Sequence, residues 1–343
     1  MCEVLKGLAE HLRSKVRINS RVEGLASRYG YRPYMVSRYV EMFGDFSEVE
    51  ELLRSFERGL RNVVRCNKLK LNDCRELGER LEALGFTLRT IEWSEGAYEV
   101  ISEPGRPSIG STHKHLLGLY YLYRGKASLI PPPTLTPSRE DAVGDLAAAP
   151  GGKTVHMAQI MGNEGLIVAL EPRRDRLSIL RNNVERMGVK NAVLLKLDAR
   201  RADTLFRGYF SKALLDAPCT GEGIIMLDPG RKTRTSLDDL VRQHVKQVEM
   251  LRAALNTLKE GGRLLYTTCS IAPEENELVV SEVLESSGDV RTVRLNTPVM
   301  LSPPVTDYYG IHMNPQVRLC GRTYPHIHHM EGFFLCMLEK SGE

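Results

Sequence analysis

The sequence predicts an α/β fold: a parallel sheet covered by helices, preceded by a helical unit and a small α+β module. The first observation behind this is periodicity. From about residue 142, apolar runs at 143–147, 166–170, 192–197, 212–215 and 262–267 alternate with helical patterns near 152–161, 174–187 and 236–259. The second is a change of pattern upstream. Residues 62–66, 86–91 and 97–101 read as short strands around a helix at 74–84. The third is punctuation: Pro131-Pro132-Pro133 and Pro137 read as a linker that no helix continues through.

These signals divide the chain into a helical extension at 1–61, an α+β module with its linker at 62–137, and the main α/β domain at 138–343. In the extension, Leu5, Leu8, Ala9 and Leu12 share one helical face. Val22, Leu25 and Ala26 share a second, and Met35, Val36, Tyr39 and Val40 a third after Pro33.

A length of 343 residues, 42% hydrophobic, gives roughly two domains with buried cores and excludes disorder over most of the chain. No stretch is long and apolar enough for a membrane span, and charges stand where a signal peptide needs its apolar region, so a cytosolic protein is expected. The seven cysteines are scattered, without a C-x-x-C pair, and are expected to form neither a disulfide framework nor a zinc site. No metal site is expected in the Cys320…His326-Ile327-His328-His329 tail either.

Ligands of open parallel sheets bind beyond the carboxyl ends of the strands, so the residues after each run carry the chemistry. Ala147-Ala148-Ala149-Pro150-Gly151-Gly152-Lys153-Thr154 follows the first; its glycines admit a ligand close to the backbone, but Ala147 breaks the Walker spacing. Glu171, after the second run, has the place and spacing of a ribose-binding carboxylate, and Asp198, after the third, suits an adenine edge. Together they point to a nucleoside cofactor. The fourth and fifth runs end in Asp216-Ala217-Pro218-Cys219 and Thr267-Thr268-Cys269-Ser270, which puts two cysteines at one sheet edge. A soft nucleophile there suits attack on an electron-poor ring carbon such as C6 of a pyrimidine. An ordinary thiol, with a pKa of about 8.5, is only about 3% thiolate at pH 7, and a helix beginning near Pro273 is expected to help ionise Cys269.

With these motifs, and with Pro273-Glu274-Glu275-Asn276-Glu277 and Glu331-Gly332-Phe333-Phe334, the chain resembles the Sun/Nop family of RNA cytosine-C5 methyltransferases from about Leu25 onward. The resemblance implies a Rossmann-like seven-stranded sheet with its last strand antiparallel, preceded by an RNA-contacting module. It implies S-adenosylmethionine as cofactor, held by Ala147, Ala148, Ala149, Pro150, Gly151, Gly152, Lys153, Glu171, Arg176, Asp198 and Asp216. Cys269 would be the nucleophile on C6, and Cys219 would assist release of the methylated base, as or through a general base at C5. Asp216 and Lys153 would hold the cytosine edge. The chain departs from the family pattern at Gly144, Ala147 and Arg124.

A monomer acting on tRNA is the leading expectation, with ribosomal RNA as the alternative. DNA cytosine methylation fits less well because those enzymes lack the second, Thr-Cys cysteine, and an RNA-binding assembly factor of the same fold is a further alternative. Net charge is +4, yet residues 11–38 carry seven basic residues against one acid and residues 172–201 nine against three. Each patch is thus +6, leaving −8 for the remainder, and both are expected to face RNA. If they neutralise about six phosphates, log affinity falls against log salt with a slope of roughly −4.

Overall fold

The computed structural model describes residues 2–342, and side chains from Gly7 to Gly342; the side chain of Leu5 lies outside the described residues. The chain opens with α1 (Cys2–Lys15), α2 (Ser20–Tyr29), α3 (Pro33–Phe43) and α4 (Phe46–Phe56). Local chemistry sets their ends: Asn19 caps α2 by accepting from the Val22 amide, Pro33 opens α3, and Gly30 and Gly44 close α2 and α3 at positive φ. The helices do not pack only on one another. Leu12 joins the core of the main domain with Val241 and Val248, while Met35, Tyr39 and Leu52 close over Ile225, Ile271 and Tyr324.

An antiparallel four-stranded sheet follows, ordered β2-β3-β1-β4, from β1 (Val63–Cys66), β2 (Thr87–Thr90), β3 (Ala97–Ser102) and β4 (Tyr120–Tyr123). It carries α5 (Arg75–Glu82) and the short α6 (His113–Leu116). The proline cluster is not a bare linker: it forms α7 (Pro131–Leu135), with Pro131, Pro132 and Leu135 buried. Proline is excluded from helix interiors but accepted in the first turn, where its missing N–H has no intrahelical partner to lose.

The large sheet is built on β5 (Ala142–Asp145), β6 (Leu166–Leu170), β7 (Ala192–Leu195), β8 (Phe210–Asp216) and β9 (Leu258–Thr268), all parallel. Helices α8 (Gly152–Ile160), α9 (Arg174–Met187), α10 (Asp203–Phe206), α11 (Arg231–Arg234), α12 (Leu237–Asn256) and α13 (Glu277–Ser286) accompany it. Beyond β9 the chain adds β10 (Val290–Val293), the hairpin β11 (Asp307–Tyr308) and β12 (Ile311–His312), β13 (Gly321–Thr323), α14 (Pro325–His328) and β14 (Phe333–Lys340). Strand order is β10-β14-β9-β8-β5-β6-β7, so the direction of travel reverses between β5 and β8. The last strand, β14, is antiparallel to β9 as expected. An eighth strand, β13, was not expected; it shares the outer edge of β14 with β10. Gly144, unusual in β5, has a reason: a Cβ there would stand 2.9 Å from the Phe210 ring.

The cysteine expectation is corrected. Cys66 pairs with Cys74 and Cys320 with Cys336, leaving Cys219 and Cys269 as the free thiols among the residues whose side chains are described. Scattered spacing concealed both bridges because each joins residues that only the fold brings together, across β13 and β14 in the second case. No helix among the described residues is long and apolar enough to cross a membrane, and no cluster of His, Cys, Asp and Glu there is suited to a metal. Closing a loop of 16 residues is worth about 3 kcal/mol in chain entropy. Cys320→Ser is accordingly expected to lose about 2–3 kcal/mol in urea unfolding and to become insensitive to reductant at that site; unchanged stability would speak against the bridge.

Candidate active site

Register in the large sheet creates the site. Asp216, at the end of β8, lies opposite Thr267 near the end of β9, and the two chains continue side by side as the Ala217 amide donates to the Thr267 carbonyl at 2.8 Å. Cys219 and Cys269 therefore leave neighbouring strand ends and converge, their sulfurs 3.3 Å apart and both partly buried. Lys153, in the first turn of α8, reaches across from β5 and donates to Asp216 Oδ2 at 2.6 Å, while Thr267 Oγ1 donates to Asp216 Oδ1 at 3.0 Å. All four residues expected to be catalytic thus meet beyond the strand ends at the reversal between β5 and β8, where open α/β sheets bind ligands.

The charges around this group are unequal. The hydrogen bond with Cys269, burial and the nearby Glu275 and Asp216 carboxylates push the Cys219 thiol well above its ordinary value. Cys219 thus keeps its proton and can donate it to the Cys269 sulfur. Burial opposes the Lys153 ammonium, but Asp216, Cys269 and Asp145 outweigh it and hold Lys153 charged. Asp145, enclosed at the end of β5 and accepting from Thr154 Oγ1 at 2.6 Å, is pushed up to about 6, chiefly by burial.

The buried run Glu274-Glu275-Asn276-Glu277 holds the cysteine loops in place. Arg38 of α3, fully enclosed, donates to Glu274 at 2.9 and 2.6 Å and to Glu222 at 2.8 Å, so one guanidinium ties the segment after Cys269 to the segment after Cys219. Tyr308 donates to Glu274 and Tyr39 to Glu222. Glu275 accepts from the Thr220 amide and hydroxyl, both at 2.7 Å, directly beside Cys219. Asn276 accepts from Thr268 and donates to the Ser270 carbonyl, bracketing Cys269. Glu277 pairs with Arg322 of β13, which also donates to the Ile271 carbonyl at 2.8 Å. Gly223 donates to the Cys269 carbonyl and accepts from Gly332, an approach so close that a Cβ on Gly223 would stand 1.9 Å from the Gly332 oxygen.

Sequence reasoning missed Arg38, Glu222, Tyr308 and Arg322. Four successive polar residues after Thr-Thr-Cys-Ser were the available signal, since so polar a run must find partners if it is buried. The expected helix at Pro273 is also corrected: Pro273–Glu275 is a 3₁₀ turn, and α13 starts only at Glu277 because the carboxylates and Asn276 bond to other segments.

The residues expected around a nucleoside cofactor line the adjoining strand ends. Ala148, Ala149, Gly151 and Gly152 are buried, Ala147 and Lys153 half-buried and Pro150 exposed. Gly151, at φ +110, caps α8 without a side chain, leaving that cap without a competing hydrogen-bonding side chain at the helix's positive end. Tyr123 of the small sheet donates to the Gly152 carbonyl at 2.9 Å, and Arg176 donates to the Ala149 carbonyl at 2.7 Å. Glu171 is buried, accepting from the Arg173 amide and lying 3.4 Å from Arg176. These features fit a methionyl carboxylate and ribose hydroxyls. Asp198 fits less directly, because both its oxygens are taken by Arg200 and it caps its own turn.

The two basic patches are also smaller than expected. Arg38 is buried, Arg13 and Arg28 pair with Asp238 and Glu50, and Arg173, Arg176 and Arg200 pair with Asp175, Glu171 and Asp198. Arg186 donates to the backbone of the small sheet and its flank.

Fold and site together define a Rossmann-like methyltransferase with paired cysteines. A family model described as 16S rRNA methyltransferase RsmB/F matches residues 132–339, and the chain belongs to that family. It is 36% identical over 340 residues to the 28S rRNA (cytosine-C(5))-methyltransferase of Mus musculus, covering 96% of this chain and 42% of that protein. It is 32% identical to ribosomal RNA small subunit methyltransferase F of Vibrio campbellii over 85% of this chain and 59% of that protein. The chain thus spans about half the length of the curated relatives it matches. Among solved structures, a methyltransferase homolog protein from Pyrococcus horikoshii superposes with a TM-score of 0.82 at 33% identity, covering 94% of this chain and all of that one.

Two variants test the clamp. Arg38→Met leaves Glu222 and Glu274 facing each other without their cation, at an expected cost of about 3–5 kcal/mol. In the folded fraction, diamide-driven bonding of Cys219 to Cys269 should slow at least tenfold; an unchanged rate would show that Arg38 does not set the thiol spacing. Burial, opposed by the bonds from Ser270 and Thr220, raises the Glu275 carboxyl from 4.5 to about 7. Its contribution to stability is therefore fully present below pH 4.5 and lost as pH rises through 7. Glu275→Gln has no such loss, so urea melts from pH 5 to 8 should show it gaining on the native protein by up to about 3 kcal/mol; a pH-independent difference would contradict the assignment.

Proposed function

We propose that the chain methylates C5 of a cytosine in ribosomal RNA through a covalent adduct between Cys269 and C6. The observation that carries this reading is the pair of thiols at 3.3 Å beside the Lys153–Asp216 pair. Cytosine C5 is a poor nucleophile while the ring is intact. When the Cys269 sulfur bonds to C6, the electron pair of the C5–C6 double bond becomes available at C5. The Lys153–Asp216 pair offers the cytosine edge a donor and an acceptor, drawing electrons from the ring as the sulfur adds. S-adenosylmethionine, when bound, supplies an electrophilic methyl group on a sulfonium. Ala147, Ala148, Ala149, Pro150, Gly151 and Gly152 would hold it with Glu171, Arg176 and Asp198, and Asp216 and Lys153 would border it on the base side. Once C5 carries the methyl group, its proton leaves to a base and the C6–S bond breaks, returning the electron pair to Cys269. Cys219 has the position to assist that release and, keeping its own proton, does so by way of a base.

The names of the relatives favour ribosomal RNA over the tRNA expected from the compact amino-terminal extension. The target cytosine must be single-stranded or flipped out, since a base inside a stack does not reach a thiol at a strand end.

Cys269→Ala is expected to abolish methyl transfer, and Cys219→Ala to let a protein–RNA adduct accumulate on denaturing gels. A fully active Cys269→Ala protein would overturn the mechanism. Bisulfite sequencing of total RNA from a deletion strain should reveal a lost 5-methylcytosine in ribosomal RNA; loss confined to tRNA would restore the other substrate.

A further inference from the structure

A cavity of about 390 Å³ lies where the end of the helical extension, the small sheet and the segment before β14 meet. Arg58 and Arg61 reach it from the turn after α4, Arg89 from β2 and Lys126 from the loop after β4, with Glu99 as the one acid in its wall. Four cations and one carboxylate leave a net charge of +3. Three of the cations crowd the same carboxylate: Arg89 at 3.6 Å, Lys126 at 3.7 Å and Arg61 at 3.9 Å. None is within hydrogen-bonding distance of it, and one carboxylate neutralises one charge. In the two sequence patches, by contrast, Arg13, Arg28, Arg173 and Arg200 each have a carboxylate at 2.5–2.9 Å. The cavity is thus a place where converging positive charge is left unneutralised by the fold.

Its position relates it to the thiols. Glu331 forms a wall between the two sites: its carboxylate accepts from the Ala127 amide, next to Lys126, at 2.9 Å, and packs on Gly125. The charges of Lys126 on the cavity side and Lys153 on the thiol side both act on it. Met330, which precedes it, lines the cavity, and Gly332, which follows it, is tied through Gly223 to the Cys269 carbonyl. Met226, also in the lining, belongs to the 3₁₀ segment Glu222–Leu227 that follows Cys219.

We propose that this cavity binds the phosphodiester backbone of the RNA strand next to the target cytosine, the phosphates replacing Glu99 as the partners of Arg61, Arg89 and Lys126. The proposal rests on the reading of the thiol site as acting on an RNA cytosine. Met226 and Met330 give the cavity an apolar flank for the sugar or base of that flanking nucleotide. Backbone contacts position a strand without reading its sequence, so the cavity sets how the cytosine enters rather than which cytosine is chosen.

The test uses the full chain and a fluorescein-labelled single-stranded RNA 12-mer with one central cytosine, with anisotropy measured across a potassium chloride series. Arg61→Gln/Arg89→Gln/Lys126→Gln should weaken binding at least tenfold at 0.1 M salt. Three lost phosphate contacts at about 0.7 each should make the slope of log affinity against log salt less negative by about 2. The control Arg242→Gln/Arg263→Gln/Arg291→Gln removes the same charge from residues paired with Asp239 and Glu339, and should change the slope by less than half as much. An unchanged slope in the cavity variant, or an equal change in the control, would overturn the proposal. Diamide bonding of Cys219 to Cys269, measured alongside, should be the same in the cavity variant and the native protein. A slope change with that rate intact supports the cavity even if Cys269→Ala leaves methyl transfer unaffected, so the two readings fail separately.

Discussion

One guanidinium, sealed from water between Glu222 and Glu274, ties the two cysteine-bearing segments to each other and to the amino-terminal helices. A charge in that position is costly to bury and is tolerable only when its partners are complete. Arg38 meets that condition with two carboxylates and the Tyr308 hydroxyl, and the carboxylates are in turn bonded by Tyr39 and Tyr308. Removing the helical extension would therefore leave both acids uncompensated at the centre of the site. The extension is a structural part of the site as well as a neighbour of it, which explains why its apolar faces are shared with Ile225, Ile271 and Tyr324.

Around the sulfurs, proximity and charge divide the labour between two chemically identical groups. The bond to Cys269, burial and the Glu275 and Asp216 carboxylates hold Cys219 protonated, and the Cys269 sulfur, 3.3 Å away, lies within reach of the Lys153 charge. Environments that separate paired groups in this way assign different roles to them. The same ammonium holds Asp216, so the residue proposed to orient the ring edge and the residue proposed to attack the ring share one electrostatic network.

Much of this was legible in the sequence. The apolar runs located all five parallel strands, since strands buried on both faces read as continuous apolar segments and the partly buried edge strand β7 keeps the same composition. Strand-end logic then placed Lys153, Asp216, Cys219 and Cys269 together. Part of what was hidden depended on long-range partners. Nothing near Arg38 in sequence shows that it meets Glu222, 184 positions away, and it read as one more base of an RNA-facing patch. The disulfides join cysteines only 8 and 16 positions apart and were hidden because their spacing follows no C-x-x-C pattern, and β13 because three residues give no period to detect. The proline cluster misled in the opposite direction, since proline marks a helix start as readily as a break.

The most direct test of the central proposal replaces the target cytosine with 5-fluorocytosine in an RNA the protein methylates. Fluorine at C5 does not leave as a proton does, so elimination after methyl transfer is blocked and the adduct is trapped. Peptide mapping of the trapped complex by mass spectrometry should place the RNA on Cys269. A nucleotide on Cys219 would reverse the roles of the two thiols, and methylation without any trapped adduct would contradict covalent attack at C6.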